Sequence, residues 1–223
     1  MQIRNISNSE KEAINDIVSI HLDTFQGFFL TFMGRGFLKL MYRSYVEYND
    51  SGVLVAFDDD KPIGFLAYSG DLSGLYKYMI KKRLIPFAWY SLGAFFRKPT
   101  VFMRLVRAFL KPGETKREEK YVELASIGVA PNIKSKGVGS LLIDALKSKV
   151  DFNKYAYITL ETDALNNEGA NHFYQKNGFV IEREFETNEG RKMFEYRYKL
   201  GEKQYENAIH SECSKSSKQL LHE

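Results

Sequence analysis

The sequence predicts an α/β domain, on three observations. Apolar residues recur at helical spacing in four separated segments, and β-rich runs lie between them. One run, 121–161, reads strand, loop, helix, strand without interruption. At 223 residues, 44% hydrophobic and 27% charged, the chain can bury a core, and wholesale disorder is excluded. The length suits one domain over 1–200, with room for an insert, rather than two domains.

Taken in order, residues 1–6 alternate and read as a short strand. Ser9 is expected to cap a helix over 10–25, where Ile14, Ile17, Val18 and Leu22 form an apolar stripe. A second helix, over 29–48, is rich in aromatics and is expected to break near Gly34 and Gly36. The β-rich runs 52–57 and 62–69, separated by DDDK, make a hairpin. A strand follows at 121–129, a helix over 137–150, a strand over 155–161 and a short helix over 167–177. Runs 178–185 and 192–200 close the domain as a hairpin around TNEGR, and 201–223 reads as a polar peripheral tail.

The composition excludes several classes. A net charge of +4 is too mild for a nucleic-acid binder. Cys213 is the sole cysteine, so there is no internal disulfide and no cysteine-based zinc cluster. His21, His172, His210 and His222 are too widely spaced for a metal motif, and no metal is expected. The opening run MQIRNISNSEKEAIND is polar and carries no secretory signal. The longest charge-free apolar run, 84–96, is shorter than the roughly 20 residues that span a bilayer. A cytoplasmic protein is the expectation.

The mild average conceals a segregated charge. Segment 72–113 has no Asp or Glu, but nine basic residues interleaved with nine aromatics, including Trp89, Phe95 and Phe96. Its +9 leaves −5 for the rest of the chain. Three readings of this insert stand open. It can be a helical lid that buries its aromatics on the core. It can lie in a membrane interface, holding the protein peripherally at the inner membrane face. Or it can attract an anionic acceptor such as a nucleotide-linked or lipid-linked sugar.

The chemistry concentrates in YVELASIGVAPNIKSKGVGSLLIDALKSKV, residues 121–150. A strand ends at Val129, Pro131 stops it, and Lys134, Ser135 and Lys136 lead into Gly137-Val138-Gly139 and an amphipathic helix. Such a turn leaves backbone N–H groups unpaired at a helix start, and glycines let a ligand approach them, which suits a phosphate or pyrophosphate. A plain turn with glycines for packing is the competing reading. No G-x-x-x-x-G-K-[ST] is present, and Leu142 breaks the G-x-G-x-x-G pattern, so neither nucleotide motif applies.

The order P-x-x-K-x-x-G-x-G, helix, strand, N-x-x-A-x-x-F-Y-x-x-x-G-F resembles the GNAT superfamily of acyl-CoA-dependent N-acetyltransferases. It is carried by Pro131, Lys134, Gly137, Gly139, Asn167, Ala170, Phe173, Tyr174, Gly178 and Phe179. Lys134 stands where the family usually has Arg or Gln, which keeps the charge but not the forked donor geometry. The resemblance implies a GNAT fold: a mixed, twisted central sheet with two parallel strands splayed at the CoA site and helices on both faces. It implies acetyl-CoA as co-substrate, with pantetheine against Ile127, Gly128 and Val129. The pyrophosphate would meet the N–H groups of Lys134, Ser135, Lys136, Gly137, Val138, Gly139 and Ser140. Asn167 would hold the pantetheine from the other side, and Tyr174 would protonate the departing thiolate.

A base must accept the amine's proton. Glu123 is the first candidate, and period-2 alternation groups it with Ala125, Ile127 and Val129. Glu161 and Asp163 stand in reserve. His21, among hydrophobes in the first helix, reads as a satisfied structural histidine. The phrasing of residues 21–45 also resembles GNAT proteins of surface-polysaccharide and amino-sugar pathways, which implies a small-molecule amine acceptor. Two function classes follow: an N-acetyltransferase, or a GNAT-fold CoA-binding module serving as a membrane or anionic-ligand adaptor. A homodimer is left open as a partner.

Overall fold

The computed structural model describes residues 1–97, 99, 119–133, 136–187 and 190–201. Along them run β1 (Gln2–Asn5), α1 (Lys11–Thr24), α2 (Phe29–Met33), α3 (Arg35–Glu47), β2 (Ser51–Asp58), β3 (Lys61–Ser69) and α4 (Leu72–Arg97). After the insert come β4 (Tyr121–Val129), a 3-10 turn (Pro131–Ile133), α5 (Val138–Lys149), β5 (Tyr157–Asp163), α6 (Glu168–Lys176), β6 (Val180–Glu186) and β7 (Lys192–Tyr198). The rest of the basic insert, Lys134, Ser135 and the tail 202–223 lie outside the described residues.

The strands form one seven-stranded sheet in the order β1-β2-β3-β4-β5-β7-β6. Neighbours pair antiparallel except β4 and β5, which run parallel. The parallel pairing covers only Tyr121–Tyr157, Val122–Ile158 and Glu123–Thr159. Beyond that point β4 stays with β3 and β5 stays with β7, so the two strands part. Helices cover both faces. On one, Val18, Phe37, Leu38, Tyr42 and Leu75 from α1, α3 and α4 pack on Val53, Val55, Phe65 and Ala67. On the other, Leu142, Ile143 and Leu146 of α5 pack on Leu54, Leu66, Ile158 and Leu160. Each such fully buried aliphatic side chain contributes about 1.5–3 kcal/mol.

Several local expectations change. Ser9 does not cap α1: Glu10 stands at the N-cap, and the Ser7 N–H donates to Glu10 Oε2 at 2.7 Å. The helix over 29–48 does break at Gly34, as expected: the glycine (φ 85°, ψ 173°) turns the chain between α2 and α3. Gly36 serves a separate purpose. A Cβ there would lie 2.3 Å from the Tyr90 ring, so its absence lets α3 and α4 approach. The strand expected from residue 155 begins at Tyr157, since Asn153, Lys154 and Tyr155 complete a turn on Asp151.

α4 is the described part of the insert. Pro86 lacks the N–H that would continue the ladder, and the backbone leaves helical geometry at Arg83 (φ −139°). Arg83 turns inward, donating to Ser44 Oγ and pairing with Glu47, so it is not part of a solvated stripe. Leu75 and Met79 enter the core and Phe87 meets Phe37 edge-on at 4.9 Å. Ile85, Trp89 and Phe96 face outward, 81%, 71% and 79% exposed.

Candidate active site

The parting of β4 and β5 opens a cleft of about 260 Å³. Leu124, Ala125, Ser126 and Ile127 line one wall, and Leu160, Glu161, Thr162 and Asp163 the other. His21 and Phe25 close it from α1, Tyr174 from α6, and Arg191 and Met193 from the β7 side. On each wall the strand edge facing the cleft has no sheet partner among the described residues past Glu123 and Thr159.

At the far end of β4 the chain passes through the 3-10 turn into α5. Gly137 is the N-cap in left-handed geometry (φ 79°, ψ 0°), with open space where a Cβ would be. Leu141 N–H returns to Gly137 O at 3.1 Å, so the N–H groups of Val138, Gly139 and Ser140 precede the first helical bond. No side chain among the described residues caps them. Val138 sends its side chain into the core, leaving only its backbone for a ligand. The second glycine has a different purpose from the one its motif implies: a Cβ on Gly139 would lie 3.0 Å from Phe173 Cζ, so Gly139 lets α5 meet α6. A Cβ on Gly128 would lie 2.8 Å from Phe65 Cε1, again a packing demand. Thr24 Oγ1 donates to Val129 O at 3.1 Å, tying the end of α1 to the end of β4.

Tyr174 stands in α6 among Phe173, Phe179 and Tyr196, with ring centroids 5.3, 6.1 and 5.8 Å away. Burial, aided by Tyr196, pushes its phenol up to about 12, so it keeps its proton at neutral pH. Asn167 begins α6 and donates its side-chain amide to Thr162 Oγ1 (2.7 Å) and Asp163 O (3.2 Å). Its nitrogen therefore fastens α6 to β5, leaving the carbonyl oxygen as the group that could meet a ligand.

The face assigned to Glu123 is overturned. Tyr68 pairs with Leu124 and Ala67 with Ser126, so Ala125 is a bulge that resets the alternation. Glu123 thereby shares a face with Ser126 and Gly128, while Leu124, Ile127 and Val129 point to the α5 side. Glu123 sits at the last parallel pair, at the floor of the splay, and is not among the residues lining the cleft. Glu161 and Asp163 are. Asp163 is engaged by Arg191, whose Nη2 contacts both carboxylate oxygens at 2.7 and 2.8 Å. Burial first, and then Glu123 and Glu161, push the Tyr76 phenol well above its ordinary range, which sets both carboxylates near one tyrosine.

Sequence reasoning underrated His21. It is 3% exposed and lines the cleft, with Nδ1 2.7 Å from Tyr42 Oη. Its Nε2 is buried without a hydrogen-bond partner among the described residues. Burial pushes its pKa down to about 4. Arg191 and Met193 of the wall carried no sequence signal, because only the β5–β7 register brings them beside Asp163. Among the described residues no cluster of His, Cys, Asp and Glu could hold a metal, and no helix is long and apolar enough to cross a membrane.

A mixed sheet that opens at its one parallel pair, beside an uncapped helix start, defines the GNAT class of acyltransferase fold. The family model described as acetyltransferase (GNAT) matches residues 14–179, and the chain belongs to that family. The fold is similar to an N-acetyltransferase from Staphylococcus aureus, at 16% identity and TM-score 0.56 over 90% of this chain and 98% of that one. A ribosomal-protein-alanine N-acetyltransferase from Brucella melitensis aligns at 14% identity and TM-score 0.56, over 90% and 100%. NAA60 from Arabidopsis thaliana, solved with acetyl-CoA, aligns at 16% and 0.53, over 89% and 98%. A comparison with curated protein sequences finds no match.

Proposed function

We propose that the chain transfers the acetyl group of acetyl-CoA to a primary amine of a small molecule. The observation that carries this reading is the three-pair parallel register, which opens a cleft lined by Tyr174, on a strand that leads through a short turn to the open start of α5. The residues fit acetyl-CoA: the N–H groups of Val138, Gly139 and Ser140 and the unobstructed Gly137 suit the pyrophosphate, and Lys136, next in the chain to Gly137, adds charge. The free edge of β4 from Ala125 to Ile127 suits the amides of the pantetheine arm.

Acetyl-CoA brings the thioester. The amine nitrogen attacks its carbonyl carbon, the carbon–sulfur bond breaks, the nitrogen loses one proton and the thiolate gains one. Tyr174 holds the proton that the thiolate takes. Glu161, on the cleft wall, accepts the amine's proton directly or through water; Glu123, at the last parallel pair, is the second carboxylate near Tyr76. An amino sugar is the acceptor favoured by the resemblance of residues 21–45.

The test is release of free thiol from acetyl-CoA across amino sugars, nucleotide-linked amino sugars, polyamines and peptide N-termini. Acetyl-CoA binding by calorimetry with no thiol release on any amine favours the adaptor reading. Gly137→Val should weaken acetyl-CoA binding in a folded protein; unchanged affinity would remove this loop from the site.

One observation favours peripheral membrane contact beside catalysis. Ile85, Trp89 and Phe96 face outward on a helix that also exposes Lys77, Lys81 and Lys82 and has no acidic residue. Each cation near an anionic bilayer adds on the order of 1 kcal/mol. Co-sedimentation with anionic but not neutral vesicles, lost at high salt, is the expected result. No binding to either leaves α4 as a lid.

A further inference from the structure

We propose that His21 is a specificity-determining residue of the acceptor pocket, whose Nε2–H is a hydrogen-bond donor reserved for an oxygen atom of the amine-bearing substrate. The inference deepens the acetyltransfer reading and rests on it.

Its first ground is an imbalance within one ring. Nδ1 is held by Tyr42 Oη at 2.7 Å, whereas Nε2 is buried and has no partner among the described residues. Buried polar atoms in folded proteins are nearly always paired, so an orphan on a residue that lines the cleft points to a ligand atom that completes it. His21 lines the cleft in company with Ser126 of β4.

The second ground fixes which proton is on offer. A phenol is a stronger acid than a neutral imidazole N–H, and an imidazole nitrogen is a stronger base than a phenol oxygen. The 2.7 Å contact is therefore Tyr42 O–H donating to Nδ1, which puts the ring's proton on Nε2. The other acceptor open to the Tyr42 hydroxyl, Ser126 Oγ, lies farther off at 3.5 Å, so the phenol's one proton goes to the nearer Nδ1.

The third ground is the surroundings. Phe25 from α1, Tyr42 from α3 and Phe65 from β3 pack on the ring, and none carries a charge. Burial in that setting keeps the imidazole neutral above about pH 4. A neutral donor selects for oxygen without repelling a nearby ammonium group. Phe25, Phe28 and Leu30 supply the adjoining wall, and they offer no side-chain hydrogen bond. The pocket thus suits an amine that carries a carbonyl, hydroxyl or ether oxygen next to a flat or apolar portion. A plain alkyl polyamine would leave Nε2–H unpaired.

Matched amines test this. Glucosamine against cyclohexylamine, and phenylalanine amide against phenethylamine, are compared by thiol release from acetyl-CoA for wild type, His21→Phe and His21→Gln. Wild type should prefer the oxygen-bearing member, and His21→Phe should shrink the ratio of kcat/KM between the two members by about 10- to 100-fold. His21→Gln, which can present an amide N–H near the position of Nε2, should restore part of the preference. An unchanged preference in His21→Phe overturns the proposal, as does acetyl-CoA binding without transfer to any oxygen-bearing amine. Long-range 1H–15N NMR of the imidazole gives an arm independent of turnover: a proton on Nε2 is expected, and a proton on Nδ1 overturns the assignment. Failure of acetyl-CoA to bind a protein with Nε2 protonated defeats the acetyltransfer reading instead.

Discussion

The two faces of the sheet are built from different materials. At the centre of the α5 face, Leu142, Ile143 and Leu146 meet Leu66, Ile158 and Leu160 in an aliphatic patch, and the buried tyrosines of that side, Tyr68, Tyr155 and Tyr196, belong to the same cluster. On the α1–α4 face the buried set includes His21, Tyr42, Ser44 and Tyr45, whose hydroxyls and imidazole must be matched one by one. The aliphatic patch fixes where the strands lie. The polar layer holds groups that can bind or move protons, at the expense of robustness, and the cleft is where the two layers meet. One face sets the frame and the other sets the selectivity.

Substitutions can separate these roles. Leu142→Ala should destabilise the fold most, by about 2–5 kcal/mol in chemical denaturation, because α5 loses its central contact. A loss under about 1 kcal/mol would mean that this face does not set the frame. His21 gives the next effect, through pH. Its pKa is about 4 folded against an ordinary 6.5, so between those values the unfolded chain binds the extra proton. Stability should therefore fall as pH drops from about 6.5 to about 4, by on the order of 3 kcal/mol, and be insensitive to this group above 6.5. His21→Gln should flatten that part of the curve; an identical curve in the variant would show the ring to be readily protonated in the fold.

Tyr174→Phe should lower turnover by about 10- to 1000-fold with little change in acetyl-CoA affinity or stability. Turnover equal to wild type would leave the thiolate to solvent. Gly139→Ala should have the smallest effect. Helix propensity gains about 0.5–1 kcal/mol, but the new methyl presses the Phe173 ring, and the net change should be a loss below about 1 kcal/mol. Because Phe173 neighbours Tyr174, a small drop in turnover should accompany it. A gain in stability would mean that α6 yields without resistance.

Much of this organisation was legible in the residues. The strand order around 121–161, the helix start at Gly137 and the hairpins are where the patterns put them. The bulge at Ala125 left a trace that strict alternation overlooks: in YVELASIGV the apolar phase runs Val122, Leu124 and then Ile127, Val129, one residue out of step, and the pairing with β3 shows where the extra residue sits. That one residue puts Ile127 and Val129 on the face opposite Glu123. The motif could not divide the work of its two glycines either: Gly137 answers to backbone conformation, Gly139 to a ring from another helix. His21 was legible as buried but not as half-paired, since Tyr42 reaches it from 21 residues away.

The sheet's borders carry a consequence for solubility. β1, at one border, is four residues long and offers little to a visiting strand. β6, at the other, is seven residues and largely exposed, the sort of edge that templates aggregation. Its sequence, VIEREFE, works against that. If a second copy of β6 docked antiparallel about Arg183, that arginine would face its own twin and Glu182 would face Glu184. Like charges directly opposite each other oppose pairing. Fibre-like stacking through this border is thereby discouraged, and replacing Glu182 and Glu184 with threonine would make the protein more prone to precipitate on concentration.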